Sequence, residues 1–200
     1  MFDARIRPLI DPPLNAAGRW LAAHGVSANV LTIVGLIVGL AAAAAVSQSA
    51  FGIALALILA NRILDGLDGA VARARGPSDL GGYLDSLCDF AFYVAVPLGF
   101  AVAQPGNALP AAILIASFTI TGVSFLAFAA IAAKRGLETS AHGKKSFFYS
   151  TGIAEGTETI AVFVLMCALP GAFAAIAHAY AALCLLTVAQ RSWLAWSSFR

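Results

Sequence analysis

Six apolar runs, at residues 27–48, 51–73, 81–104, 109–133, 148–169 and 172–194, alternate with short polar breaks. Each run is long enough for an α-helix to cross the hydrocarbon core of a bilayer, which takes about 20 residues. The pattern therefore predicts six transmembrane helices. The breaks fall at Ser47-Gln48-Ser49, Gly76-Pro77-Ser78, Pro105-Gly106-Asn107, the polar run from Lys134 to Lys145, and Pro170-Gly171, where turn-forming residues interrupt helices. The residues before the first run read differently. RPLIDPPLNAAGRWLAAHGVS puts Leu14, Ala17, Trp20 and Leu21 on one helical face and Arg19 and His24 elsewhere. That suits a short helix lying in the cytoplasmic interface with Trp20 at headgroup level, a simple solvated lead-in being the alternative. No Pro/Ser-rich linker divides the chain, so residues 1–200 are expected to form a single domain, with 1–25 as lead-in and 27–194 as the six-helix bundle. The fold class expected is all-α integral membrane. In the first run, Gly35 and Gly39 form a GxxxG pattern followed by Ala41 to Ala45, a surface suited to close helix packing.

Composition strengthens this picture. The chain is 60% hydrophobic and 11% charged, against roughly 25% charged in a soluble domain, and its mean hydropathy is +0.87. Cys88, Cys167 and Cys184 are widely spaced in apolar runs and read as packing residues, with no disulfide or zinc spacing. The first apolar run is too long for a signal peptide. Orientation follows from charge. Arg5, Arg7, Arg19, Arg62, Arg73, Arg75, Lys134, Arg135, Lys144, Lys145, Arg191 and Arg200 all fall before the first run, around the second-to-third or fourth-to-fifth connection, or near the C-terminus. The positive-inside rule then places both termini in the cytoplasm.

Candidate chemistry lies between Asp65 and Asp89. Asp65, Asp68, Asp85 and Asp89 stand beside or inside apolar runs, where each mid-helix Asp costs about 2.5–3.5 kcal/mol. Asp65 and Asp68 are three residues apart and Asp85 and Asp89 four, so each pair projects from one helix face. The Gly76-Pro77 turn folds the two helices together at the cytoplasmic side. Four converging carboxylates need cations, and an oxygen-only set suits Mg2+ or Mn2+. Gly66, Gly69, Ala70 and Ala72 on one helix, with Gly81 and Gly82 on the next, leave room for a ligand. Arg73 and Arg75 beside them suit a phosphate or pyrophosphate.

The pattern Asp65-x2-Asp68-Gly69-x2-Ala72-Arg73, seven residues, Gly81-x3-Asp85-x3-Asp89 resembles the signature of the CDP-alcohol phosphotransferases, integral membrane enzymes of phospholipid synthesis, at eight defined positions. Ser27-Ala28-Asn29-Val30-Leu31-Thr32 is similar to the family's Pro-Asn-x-Leu/Ile-Thr, with Ala28 in place of the proline. The resemblance implies that Asp65, Asp68 and Asp85 ligate two divalent metal ions, Mg2+ or Mn2+, and that Asp89 faces the metals and serves as general base. It also implies that Gly69, Ala72, Arg73 and Gly81 receive the CDP moiety, and that the protein is a homodimer in a bacterial inner membrane with its active site facing the cytoplasm. The reaction implied moves a phosphatidyl group from CDP-diacylglycerol to a small or lipid alcohol, releasing CMP. The alternative is transfer from a CDP-amino-alcohol to diacylglycerol, which uses the same signature.

A second polar patch on the cytoplasmic side offers acceptor-binding candidates: Lys134, Arg135, Lys144, Lys145, Glu155 and Glu158. For Lys144 and Lys145 the alternative is snorkelling to anionic headgroups. Glu155-Gly156-Thr157-Glu158-Thr159 is similar to the Ala-Glu-Arg-x-Glu-Arg region of family members that make phosphatidylinositol phosphate, with Gly156 and Thr159 where arginines would stand. Two guanidinium forks for an acceptor phosphate are thereby missing. Two rival classes share part of this pattern. Membrane prenyltransferases also use aspartates and Mg2+, but in two motifs far apart, whereas one motif spans 25 residues here. A cation-coupled transporter would explain intramembrane acids, yet paired discontinuous spans are missing. No nucleic-acid partner is expected.

Overall fold

The computed structural model describes residues 3–136 and 152–200. Its described residues form seven α-helices: α1 (Asp3–Ala23), α2 (Ala28–Ser47), α3 (Phe51–Arg75), α4 (Asp79–Ala103), α5 (Ala108–Lys134), α6 (Gly156–Ala168) and α7 (Phe173–Phe199). No strand occurs among the described residues, so the protein is all-α. Helices stop at the expected punctuation. Ser49 takes a positive φ of 59 between α2 and α3, and Gly76 one of 97 between α3 and α4. The 3-10 turns Pro105–Asn107 and Pro170–Ala172 precede α5 and α7.

Four stretches, Ala28–Ser47, Asp79–Ala103, Pro105–Lys134 and Pro170–Phe199, are long and apolar enough to cross a membrane. α3 has the length at 25 residues, but from near its midpoint on it carries Arg62, Asp65, Asp68, Arg73 and Arg75. α6 has 13 described residues, about 20 Å of helix, and the start of its apolar run at 148 lies outside the described residues. The outer surface of the bundle is apolar. Ile37, Ile53, Val102 and Leu109 are 61–69% exposed, a surface stable against lipid and unfavourable against water. The chain is an integral membrane protein.

Inside, an aromatic core joins the helices. Phe92 of α4 meets Phe163 of α6 edge-on at 5.7 Å, and Phe100 stacks on Phe173 of α7 at 4.4 Å. The GxxxG of α2 serves this packing. A Cβ at Gly39 would lie 2.7 Å from the Phe92 ring, and the Gly35 carbonyl accepts a hydrogen bond from Asn61 of α3 at 2.9 Å. Small residues thus bring α2, α3 and α4 together at one level.

α1 packs along α3. The positions that pack are Leu14, against Gly66, and Gly18, where a Cβ would come within 2.5 Å of the Ala70 Cβ. Trp20 stays 61% exposed, with its ring 4.2 Å from that of His24. The reason lies on α3, whose Gly66 and Ala70 form a notch that admits a helix backbone closely, so α1 turns its smallest side chain inward. These two residues therefore serve helix packing, and the clearance expected of them for a ligand is filled by α1.

Candidate active site

Helical spacing and a tight turn build the site. α3 ends at Gly76, whose positive φ suits glycine. Ser78 then caps α4, its Oγ accepting from the Gly81 amide at 3.1 Å, as N-cap serines do. α3 and α4 both pack on α2, and acids of the two helices meet at one hollow beside it. Carboxylate oxygens of Asp65, Asp68 and Asp85 lie within 4.8 Å of one another. Asp68 is buried and Asp85 exposed, so the group runs from the bundle interior to its surface. Together with Thr32, Gly35, Leu36, Asn61, Cys88 and Asp89 these acids line a small hollow. The donor set is oxygen apart from the Cys88 thiol, a composition that fits a hard divalent cation better than zinc.

Each acid has its own support. Thr32 of α2 donates to Asp68 Oδ2 at 2.7 Å, a contact spanning 36 residues of chain. Asp65 pairs with Arg62 one turn deeper on α3. Asp89 stands outside the group of three, its Oδ1 4.0 Å from Arg62 Nη1. Arg62, one of the basic residues that mark orientation in the sequence, is built into the site. The available signal was its distance from the end of the helix, 13 residues before Arg75, more than three turns inside the span.

The residues expected to receive a nucleotide lie above the acids. A Cβ at Gly69 would be 3.3 Å from Arg73 Nη1, and one at Gly81 would be 3.0 Å from Ser78 Oγ and 3.3 Å from Asn29 Oδ1. Ala72 is half-buried. Arg73 turns toward α1, where Nη2 and Nε donate to Asn15 Oδ1 at 2.9 and 3.2 Å.

The acceptor candidates are placed unequally. Arg135 extends to the end of α7, donating to the Ser198 and Phe199 carbonyls at 3.3 and 2.5 Å. Lys134 is exposed at the end of α5, while Lys144 and Lys145 lie outside the described residues. Glu155 Oε1 accepts from the Gly152 amide at 2.9 Å. Glu158 sits in the first turn of α6. Tyr93, one turn beyond Asp89 on α4, borders this region, since a Cβ at Gly156 would meet its hydroxyl at 3.3 Å. Thr159 donates to the Glu155 carbonyl at 2.9 Å and contacts the Tyr180 hydroxyl at 2.8 Å. The two positions that lack arginines are thus used for packing.

Thr187 and Arg191 of α7 carried no sequence signal. The Thr187 hydroxyl accepts from the Ile153 and Ala154 amides at 3.2 and 2.9 Å and donates to Leu183 O at 3.0 Å. Buried Arg191 donates to Thr121 O at 3.0 Å and Ser124 Oγ at 3.3 Å on α5. Replacing Thr187 with valine leaves the Ala154 amide buried without its acceptor, a loss of about 1–3 kcal/mol. The midpoint of thermal unfolding in detergent should fall, and an unchanged midpoint would show that this anchor contributes nothing.

Comparison with known proteins adds a family. The family model for CDP-alcohol phosphatidyltransferase matches residues 25–196. The chain is 45% identical over 194 residues to the inner membrane protein YnjF of Escherichia coli, covering 96% of this chain and 94% of that protein. It is 39% identical over 103 residues to archaetidylinositol phosphate synthase of Pyrococcus horikoshii, covering 50% of this chain and 53% of that one. Among solved structures, Mycobacterium tuberculosis phosphatidylinositol phosphate synthase (PgsA1) with CDP-DAG bound superimposes with TM-score 0.68 at 23% identity, covering 92% of this chain and 93% of that one. The same enzyme in complex with manganese and citrate also gives TM-score 0.68, at 21% identity, covering 92% and 88%. At such identities the likeness is one of fold.

Proposed function

The chain belongs to the CDP-alcohol phosphatidyltransferase family, a family of enzymes, and on that premise we propose that it transfers a phosphatidyl group from CDP-diacylglycerol to an alcohol, releasing CMP. The observation that carries this reading is the convergence of Asp65, Asp68 and Asp85 within 4.8 Å at the positions of the family signature. Asp65, Asp68 and Asp85 hold two divalent ions, Mg2+ or Mn2+, with Asp89 facing them. When bound, such ions neutralise charge on the pyrophosphate and on the leaving CMP. The manganese-bound and CDP-DAG-bound forms of PgsA1 support both the metal and the CDP-lipid donor.

The chain's own groups divide the remaining work. Gly69, Ala72 and Gly81 admit the CDP moiety, and Arg73 swings from Asn15 to its phosphates. Asp89 takes the proton of the acceptor hydroxyl. The acceptor oxygen forms a bond to the phosphorus bearing the diacylglycerol, and the bond from that phosphorus to CMP breaks. Glu155 and Glu158 with Lys134 form the acceptor side. Because Gly156 and Thr159 pack against Tyr93 and Tyr180, an acceptor phosphate has no guanidinium from those two positions.

The wider arrangement follows the same reading. Residues 1–200 form one domain with six spans in a bacterial inner membrane, α1 lies in the interface, and the protein is a homodimer. The distribution of Lys and Arg supports a cytoplasmic active site and cytoplasmic termini. The test is to supply purified protein with CDP-diacylglycerol, Mg2+ or Mn2+, and glycerol phosphate, inositol phosphate, serine, choline or phosphatidylglycerol in turn. Metal-dependent CMP release with one new lipid by mass is expected. Failure of every acceptor and CDP-lipid to yield CMP would overturn the reading.

A further inference from the structure

Arg73 springs from a face of α3 that does not carry the acids. Asp65, Asp68, Gly69 and Ala72 fall at helical spacing on one stripe, and Gly66, Ala70 and Arg73 on the next. Leu14 and Gly18 of α1 lie against Gly66 and Ala70, so the stripe that carries Arg73 is the one α1 covers. Long side chains on a helix lean back toward its N-terminus, and that of Arg73 returns along α3 to the level of Gly69. There Nη2 and Nε both donate to Asn15 Oδ1, at 2.9 and 3.2 Å, while Nη1 lies 3.3 Å from the point that a Cβ at Gly69 would occupy. The guanidinium thus covers the bare position assigned to the CDP moiety, and a nucleotide seated against Gly69 excludes it from that place. What holds it there is a neutral amide oxygen, which restrains the cation without cancelling its charge.

We infer that Asn15 is a positioning residue for Arg73: it holds the guanidinium over Gly69 and yields it to the donor's phosphates, whose charged oxygens replace the amide oxygen as acceptor. The inference rests on the reading of Gly69 and Arg73 as donor-binding residues. Linkage fixes the sign of the effect. A contact that the donor must break stabilises only the form without donor, so it opposes donor binding by its own net strength. Removing the contact tightens the complex, and strengthening it loosens the complex. α1 in this way acts on donor affinity from outside the acid cluster.

The test uses the full-length protein in detergent and follows equilibrium binding of CDP-diacylglycerol with Mn2+ present and acceptor absent. Asn15→Leu keeps the bulk and removes the acceptor oxygen. It should bind the donor about two- to tenfold more tightly, the net contribution of one hydrogen bond. Asn15→Asp keeps the shape and adds a charge that retains the guanidinium. It should bind the donor about two- to fivefold more weakly, the usual range of an exposed ion pair. A role in packing alone would lower affinity in both variants, so the opposite signs are diagnostic. In an Arg73→Ala background both shifts should vanish, because Asn15 then has no guanidinium to hold. Donor affinity not raised in Asn15→Leu, not lowered in Asn15→Asp, or shifted equally without Arg73 overturns the inference. Wild-type protein that binds no CDP-diacylglycerol would instead defeat the proposed reaction. The Nε–H resonance of Arg73 in 15N-arginine-labelled protein then still decides the contact: a shift between wild type and Asn15→Leu is expected, and identical spectra overturn the inference.

Discussion

Asp89→Asn should reduce CMP release by about 10²–10⁴-fold, the usual contribution of a positioned general base, and leave CDP-lipid binding near that of wild type. The split follows from geometry. Asp89 stands outside the three acids that converge within 4.8 Å, so metal and donor keep their principal ligands when it is neutralised. Asparagine has the same shape, but it cannot take up the acceptor proton at neutral pH. The measurements are kcat from CMP release and, separately, equilibrium binding of CDP-diacylglycerol in the absence of acceptor. Turnover within a few-fold of wild type would remove Asp89 as the base.

Asp68→Asn should act at an earlier step. Asp68 is the most enclosed of the four acids, 5% exposed, and Thr32 alone among the other helices is seen to donate to it. Asparagine preserves that contact, since its amide oxygen accepts from the same hydroxyl, so the bundle should fold. What disappears is a negative charge beside a divalent ion. At an effective dielectric near 20, two unit charges 4 Å apart interact by about 4 kcal/mol, so Mn2+ binding should weaken by about 100-fold or more. Turnover should collapse at low Mn2+ and recover partly as Mn2+ is raised. Mn2+ affinity unchanged from wild type would exclude Asp68 as a ligand. Thr32→Val, which removes only the supporting hydroxyl, should show the same trend at the lower end of a 10–100-fold effect.

Legibility in the sequence followed the range of the interaction. Asp65 with Asp68 and Asp85 with Asp89 were readable because spacings of three and four residues report directly on one helix face. The positions of helices and breaks were readable for the same local reason, through apolar runs and turn residues. Thr32 donating to Asp68, Asn15 accepting from Arg73 and Thr187 holding the Ile153 and Ala154 amides join residues 33 to 58 positions apart, and no periodicity encodes such partners. Arg62 shows a different failure. Counting it among the basic residues that mark a cytoplasmic flank hid its depth in the span. Gly66 and Ala70 show a third: a missing side chain signals close approach but does not say of what, and here it is α1 that approaches.

Arg135 and Thr187 act on the same helix from opposite sides of one connection. The chain leaves α5 with Arg135 fastened to the last carbonyls of α7, and it rejoins the bundle with Ile153 and Ala154 fastened to Thr187, about 17 Å away along the α7 axis. The departure and re-entry points are therefore independent of whatever joins them. The start of α6 is thereby held by its own contacts with α7, and the end of α5 by separate ones.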